Sequence, residues 1–196
     1  MGFLGRGRAA VNNVAAALTT NPLESEARLA SKVQLDWLQS MVTPAQLSLL
    51  QYNVPASVTL AQCILESAWG TSQLARRCNN YFGIKALADI PYIEFTTREV
   101  VTGRSVMELA RFARYPSAIE GFAAHARLLS EAAIYAPAMR QADDPYAFAV
   151  ALRCCGYSTS PTYSLKISEL MHEFNLEQYD DICQTVPAAL PKEEVA

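Results

Sequence analysis

Apolar positions recur at helical spacing along most of the chain and give way to a strand-like pattern only once. In SEARLASKVQLDWLQSM, Leu29, Val33, Trp37 and Met41 repeat every four residues and predict an amphipathic helix. Thr43 followed by Pro44 has the form of an N-cap with a first-turn proline, which predicts a separate short helix ending near Tyr52. A third helix is expected from about Pro55 to Trp69, stopped by Gly70, and Ser72 then caps a short helical turn, SQLARR. The segment CNNYFGIK that comes next reads as a loop.

From Tyr92 to Tyr115, Thr, Val, Ile and Phe are enriched on both sides of Thr102-Gly103-Arg104, which predicts a β-hairpin. Helical signals then return. Ser117 and Glu120 form a capping box, Asp144-Pro145 opens a helix that stops at Gly156, and Ser160-Pro161 opens a last helix ending near Phe174. Six or seven helices, one hairpin and no strand–helix–strand alternation predict a mostly α fold with a small β wing, of class α+β. The two ends lack a sustained period, so the organisation expected is a flexible N-terminal segment 1–23, one domain 24–176 and a C-terminal tail 177–196.

Composition narrows the function classes. A chain of 196 residues, 51% apolar and 18% charged, is long enough to close one core without metals or a disulfide framework. A net charge of -3 with scattered Lys and Arg argues against nucleic-acid binding, so any polymer would be read in a groove by hydrogen bonds and stacking. No apolar run has the length of a membrane span, and the opening residues read as no cleavable signal peptide. The cysteines, Cys63, Cys78, Cys154, Cys155 and Cys183, are odd in number and lack metal-ligand spacing, as do His125 and His172. They read mostly as buried thiols; neither metal nor cofactor is expected.

The helix PASVTLAQCILESAWG carries the chemistry. Val58, Ala61, Leu65 and Ala68 form an apolar stripe, whereas Thr59, Gln62, Glu66 and Trp69 fall on another face at spacings of three and four. A glutamate beside an indole on such a helix loses hydration, which raises its pKa and keeps a proton available, as a general acid requires. The same pattern also fits a solvated surface glutamate, and periodicity alone leaves both readings open.

The longer string decides more. Gln62-x-x-x-Glu66-Ser67-x-Trp69-Gly70-x-Ser72-x-Leu74-Ala75 is followed by Asn79-Asn80-Tyr81-Phe82-Gly83-Ile84-Lys85, and later by Phe112-x-x-Tyr115, Glu120-Gly121-Phe122 and Gly156-Tyr157-x-Thr159-x-Pro161-x-Tyr163. Over roughly Val33 to Phe174 the chain resembles glycoside hydrolase family 73, the glucosaminidase domains of flagellar muramidases and bacterial autolysins. The resemblance implies a lysozyme-like domain with the hairpin bordering a substrate cleft, and an enzyme cutting peptidoglycan glycan strands after N-acetylglucosamine. It implies Glu66 as general acid, Glu99 of Thr97-Arg98-Glu99 as the second carboxylate, and Tyr163 as a hydroxyl near the acid. Gln62, Trp69, Asn79, Asn80, Tyr81 and Tyr157 are the expected substrate-binding residues. Ser160 stands where the family commonly has aspartate, and it is expected to cap the last helix in its place.

A second carboxylate is also demanded by chemistry, because one group must protonate the leaving oxygen while another activates water or steadies positive charge. Glu94 and Glu99 lie five residues apart on one strand, so only one can face the cleft. If the substrate's acetamido group attacks the anomeric carbon instead, Glu99 orients or stabilises. Two other readings stay open: a lytic transglycosylase or muramidase on the same fold, and a non-catalytic wall-binding module of a secretion apparatus. The expected site of action is the periplasm or cell wall, reached by phage lysis or by specialised secretion, for a monomer with a secretion-machine or immunity protein as a conceivable partner.

Overall fold

A computed structural model of the chain describes residues 22–87, 90–101 and 104–182, with side chains described outside 22–30 and 97–108. The expectations for residues 1–21, for Cys183 and for the rest of the C-terminal tail lie outside the described residues. The chain divides into two units, 1–36 and 37–196.

Helix α1 (Pro22–Tyr52) contributes to both units and is continuous, where the sequence predicted two helices broken at Thr43-Pro44. Within residues 1–36, Lys32 and Asp36 make an exposed ion pair at 2.5 Å, and Val33, expected on an apolar stripe, is 60% exposed. Within residues 37–196, Leu38, Met41, Val42 and Ala45 are buried on both sides of Pro44. Packing of that face offsets the lost backbone hydrogen bond and carries the helix through the proline.

Helix α2 (Ala56–Ser67) is the centre of the fold. Every residue from Ala56 to Ile64 is buried, the polar Ser57, Thr59 and Gln62 included. Its N-cap, Pro55, offers no side-chain hydrogen bond; Asp180, distant in sequence, instead accepts from the Ser57 N–H at 2.9 Å. The turn of 3₁₀-helix at Leu176–Tyr179 packs with α2, and Leu176 is fully buried. Residues 176–180 are thus packed on the start of α2, where Asp180 supplies the hydrogen bond that Pro55 does not.

Ser72 caps α3 (Gln73–Cys78) as predicted, accepting from the Ala75 N–H at 3.1 Å. Strands β1 (Tyr92–Val101) and β2 (Arg104–Ala113) form the expected hairpin in an uninterrupted antiparallel register from Tyr92 opposite Ala113 to Val101 opposite Arg104. The capping box of Ser117 and Glu120 opens α4 (Ala118–Glu131), and Asp144 caps α6 (Pro145–Cys154) by accepting from the Tyr146 and Ala147 N–H groups; the short α5 (Ala136–Met139) lies between them. Gly156, at φ +85°, ends α6 as predicted. Helix α7 (Tyr163–Glu173) has Thr162 at its N-cap with no side-chain cap. Ser160, expected to cap it, instead bonds its hydroxyl to that of Thr162 at 3.2 Å and lends only its carbonyl to the Tyr163 N–H.

The family-like Glu120-Gly121-Phe122 has a packing reason. A β-carbon on Gly121 would stand 2.1 Å from the Asn79 carbonyl oxygen, so α4 approaches the end of α3 only through this glycine. Gly→Ala within a helix ordinarily stabilises, by up to about 1 kcal/mol. Here Gly121→Ala is expected to destabilise by about 1–3 kcal/mol, because the methyl meets backbone that cannot swing away. Urea unfolding of the variant checks the reversed sign.

Of the cysteines, Cys63 and Cys78 are buried, Cys155 is partly buried and Cys154 is exposed; all four are free thiols. The expectation of mostly buried thiols thus holds for two of the four described. No described helix is long and apolar enough to cross a membrane, and no group of metal-ligating side chains occurs among the described residues.

Candidate active site

Glu66 sits in the last turn of α2, beyond the stretch in which the helix is buried all round, and it is the helix's exposed carboxylate. It opens on a cleft of about 390 Å³. One side of this cleft is the loop after α3, with Phe82, Gly83, Ile84, Lys85 and Leu87; the other is α4 and later segments of the chain, with His125, Leu128, Tyr135 and Tyr157. Gly83 reaches its place in the loop with φ +65°, the left-handed angle expected for it. Loss of hydration in this setting raises the Glu66 pKa above the ordinary carboxylate value. The carbonyl end of α2 acts in the same direction, since a negative charge there opposes the helix dipole.

The backbone beyond Glu66 explains what the helical wheel missed. Ser67 closes the helix, its hydroxyl donating to the Cys63 carbonyl and accepting from the Gly70 N–H at 2.7 Å. Ala68, Trp69 and Gly70 then all take positive φ. Trp69 is thereby swung off the Glu66 face into edge contacts with Trp37 at 5.8 Å and Phe174 at 5.0 Å. The indole expected beside the acid is half-buried and packs against the core; the tyrosines near Glu66 come from other segments.

Most other predicted binding residues also lie behind the cleft surface. Gln62 is fully buried and donates its amide N–H to the Tyr163 hydroxyl at 2.7 Å, which leaves it no access to a sugar. Asn80, 1% exposed, donates to the Ile84 and Ala113 carbonyls and accepts from the Ile84 N–H, so it fastens the cleft loop to β2. Asn79 takes φ +49° as the C-cap of α3 and donates to the Tyr115 carbonyl at 3.0 Å. Tyr81 is buried edge-on against Phe122. These residues shape the cleft without lining it.

Tyr157 is the predicted binding residue that does line the cleft with Glu66. Tyr163, expected as a hydroxyl near the acid, is 2% exposed and lies beneath Tyr157, their ring centroids 5.5 Å apart. Burial raises the pKa of both phenols, and the negative charge of Glu66 adds to it in each. Both are therefore held as neutral hydroxyls close to the carboxylate.

Of the two strand carboxylates, the side chain of Glu94 is described. Glu94 is exposed and pairs with Arg111, its cross-strand neighbour, at 3.1 Å. Glu99 stands opposite Val106 in the register, and its side chain lies outside the described residues. Among the described residues, Glu66 is the one carboxylate that lines the cleft.

Sequence reasoning passed over His125, which lacks ligand-like spacing. It is 1% exposed, stacks on Phe82 at 3.8 Å between ring centroids, and places Nε2 3.1 Å from the Tyr157 hydroxyl. Burial pushes its pKa down to about 3, so the imidazole is neutral. Its only local signal was a helical position three residues after the buried Phe122.

A family model described as mannosyl-glycoprotein endo-beta-N-acetylglucosaminidase matches residues 42–176. The chain is 34% identical over 151 residues to the exo-glucosaminidase LytG of Bacillus subtilis, covering 74% of this chain and 53% of that protein. It is 34% identical over 163 residues to the peptidoglycan hydrolase FlgJ of Salmonella typhimurium, covering 80% and 51% respectively. The chain thus spans about half the length of these curated relatives. Among solved structures, the catalytic domain of the autolysin Auto from Listeria monocytogenes matches with a TM-score of 0.69 at 28% identity, covering 91% of this chain and 99% of that one. The glycoside hydrolase domain of Salmonella typhimurium FlgJ, C-terminally truncated, matches with a TM-score of 0.61 at 33% identity, covering 72% and 97%.

Proposed function

The chain belongs to the glucosaminidase family of glycoside hydrolases, and on that premise we propose that it cleaves the β-1,4 bond after N-acetylglucosamine in peptidoglycan strands, with Glu66 as general acid. The carrying observation is Glu66 itself, a carboxylate at the mouth of a cleft whose surroundings hold its proton to higher pH than usual. Protonating the glycosidic oxygen makes the departing sugar a neutral alcohol, and the positive charge left on the other sugar must then be met from its opposite face. Glu99 is the candidate for that role through its family position on β1. The apolar and aromatic cleft walls suit the faces of a sugar chain.

The alternative is a route in which the substrate's own acetamido oxygen attacks the anomeric carbon, since N-acetylglucosamine carries that group beside the reacting centre. Glu99→Gln separates the two routes: it should lower kcat by about 10²-fold or more if Glu99 is the base, and only slightly if the acetamido group attacks.

Mass spectrometry of muropeptides released from sacculi tests the reading as a whole. Reducing-end N-acetylglucosamine is expected. Products with 1,6-anhydro ends would overturn hydrolysis in favour of a transglycosylase, and protein that binds sacculi without clearing them would show a wall-binding module.

A further inference from the structure

We propose that His125 is a positioning residue that makes Tyr157 a hydrogen-bond donor into the cleft. The proposal rests on the hydrolase reading above for its consequence, although the hydrogen bond itself does not. His125 has little freedom: its ring lies flat on Phe82, at 12° between planes, and meets the Tyr157 ring nearly at right angles, at 87°. One nitrogen, Nε2, is 3.1 Å from the Tyr157 hydroxyl; the other, Nδ1, is buried with no hydrogen-bond partner among the described residues.

This asymmetry selects a tautomer. A neutral imidazole carries one N–H and one bare nitrogen. Placing the proton on Nδ1 would bury an N–H donor without an acceptor, and orphaned buried N–H groups are rarer in folded proteins than under-satisfied acceptors. The proton therefore belongs on Nε2, which donates it to the phenolic oxygen of Tyr157. That oxygen, occupied as an acceptor, turns its own O–H elsewhere. Tyr157 lines the cleft beside Glu66, so the free proton is available to an oxygen of the bound sugar, the acetamido carbonyl among them, and to the Glu66 carboxylate once it has given up its own proton.

Four variants of the full chain, Tyr157→Phe, His125→Leu, the double variant and His125→Gln, test the coupling. Steady-state kinetics on sacculi should show kcat about ten-fold lower for Tyr157→Phe and for His125→Leu with KM little changed, the worth of one good hydrogen bond. The double variant should be no worse than Tyr157→Phe, and His125→Gln, whose amide N–H reaches toward the same phenol, should recover most of kcat. Losses that multiply in the double variant, or a fully active His125→Leu, would overturn the proposal.

A readout free of substrate guards against variants that fold poorly and against failure of the hydrolase reading. In ¹⁵N-labelled wild-type protein, Nε2 of His125 should give the protonated, pyrrole-like signal and Nδ1 the pyridine-like one, assigned by loss of both in His125→Gln. The reverse assignment would sink the proposal whatever the kinetics show. A chain that never cleaves sacculi, with the tautomer as stated, would refute the hydrolase reading and leave the His125–Tyr157 geometry standing.

Discussion

Glu66→Gln should abolish most turnover while making the protein more stable at neutral pH. A glutamine has the shape and hydrogen-bonding reach of the acid but no proton to deliver, so kcat on sacculi is expected to fall by about 10²- to 10⁴-fold, with binding retained. The stability effect has the opposite sign. In the folded chain the Glu66 pKa is raised by loss of hydration, so the group contributes stability below its unfolded pKa and loses that contribution as pH rises through its folded value. At pH 7 the charged carboxylate is a liability that glutamine removes. The melting temperature of Glu66→Gln should exceed that of wild type at pH 7, and the difference should vanish near pH 4. A variant that is inactive and also less stable at pH 7 would mean that Glu66 supports the fold rather than the chemistry. In wild type the same shift predicts that activity falls as pH rises through the Glu66 pKa.

The second large effect is acid unfolding driven by His125. Its folded pKa of about 3 lies below the ordinary histidine value of 6.5. Between these values the unfolded chain binds a proton that the native chain refuses, so stability rises with pH in this window and is lost as pH falls toward 3. At about 1.36 kcal/mol per unit, the full contribution is on the order of 5 kcal/mol. Denaturant unfolding of wild type and His125→Gln between pH 7 and pH 4 should show wild type losing stability faster, the difference between the curves being the stability that His125 loses on protonation. Parallel curves would show that His125 accepts a proton in the folded state. Glu66 and Asp180, both raised by burial, titrate with the opposite sign, and subtracting the two curves cancels them.

Both predictions turn on where side chains end up, and there the sequence was uneven. Capping at Ser72, at Ser117 with Glu120 and at Asp144 was legible because a cap is a hydrogen bond between residues two or three apart, set by local backbone geometry. The hairpin was legible for a similar reason, since alternation and a short turn fix its register. Pro44 misled because its usual meaning at a helix start is local, whereas continuity of α1 depends on what Leu38, Met41, Val42 and Ala45 pack against. Asp180 was invisible as a cap for the opposite reason: the helix end it completes begins at Ala56.

By itself the sequence determined that the chain is mostly helical with one hairpin, that it resembles the glucosaminidases, and that Glu66 is the residue on which their chemistry would turn. Only the tertiary structure decided which neighbours Glu66 has. The wheel put Gln62 and Trp69 beside it, but α2 is enclosed on nearly every side by segments far away in the chain, so Gln62 points into the core, and three consecutive left-handed residues carry Trp69 off the helix altogether. The tyrosine that does share the cleft with Glu66, Tyr157, and the histidine that touches it arrive from 91 and 59 residues further on (157 − 66 and 125 − 66). Local hydrogen bonds and periodicity specify helices and their ends. Which face of a helix is left open to substrate is a property of everything packed against it, and no window of neighbouring residues contains that information.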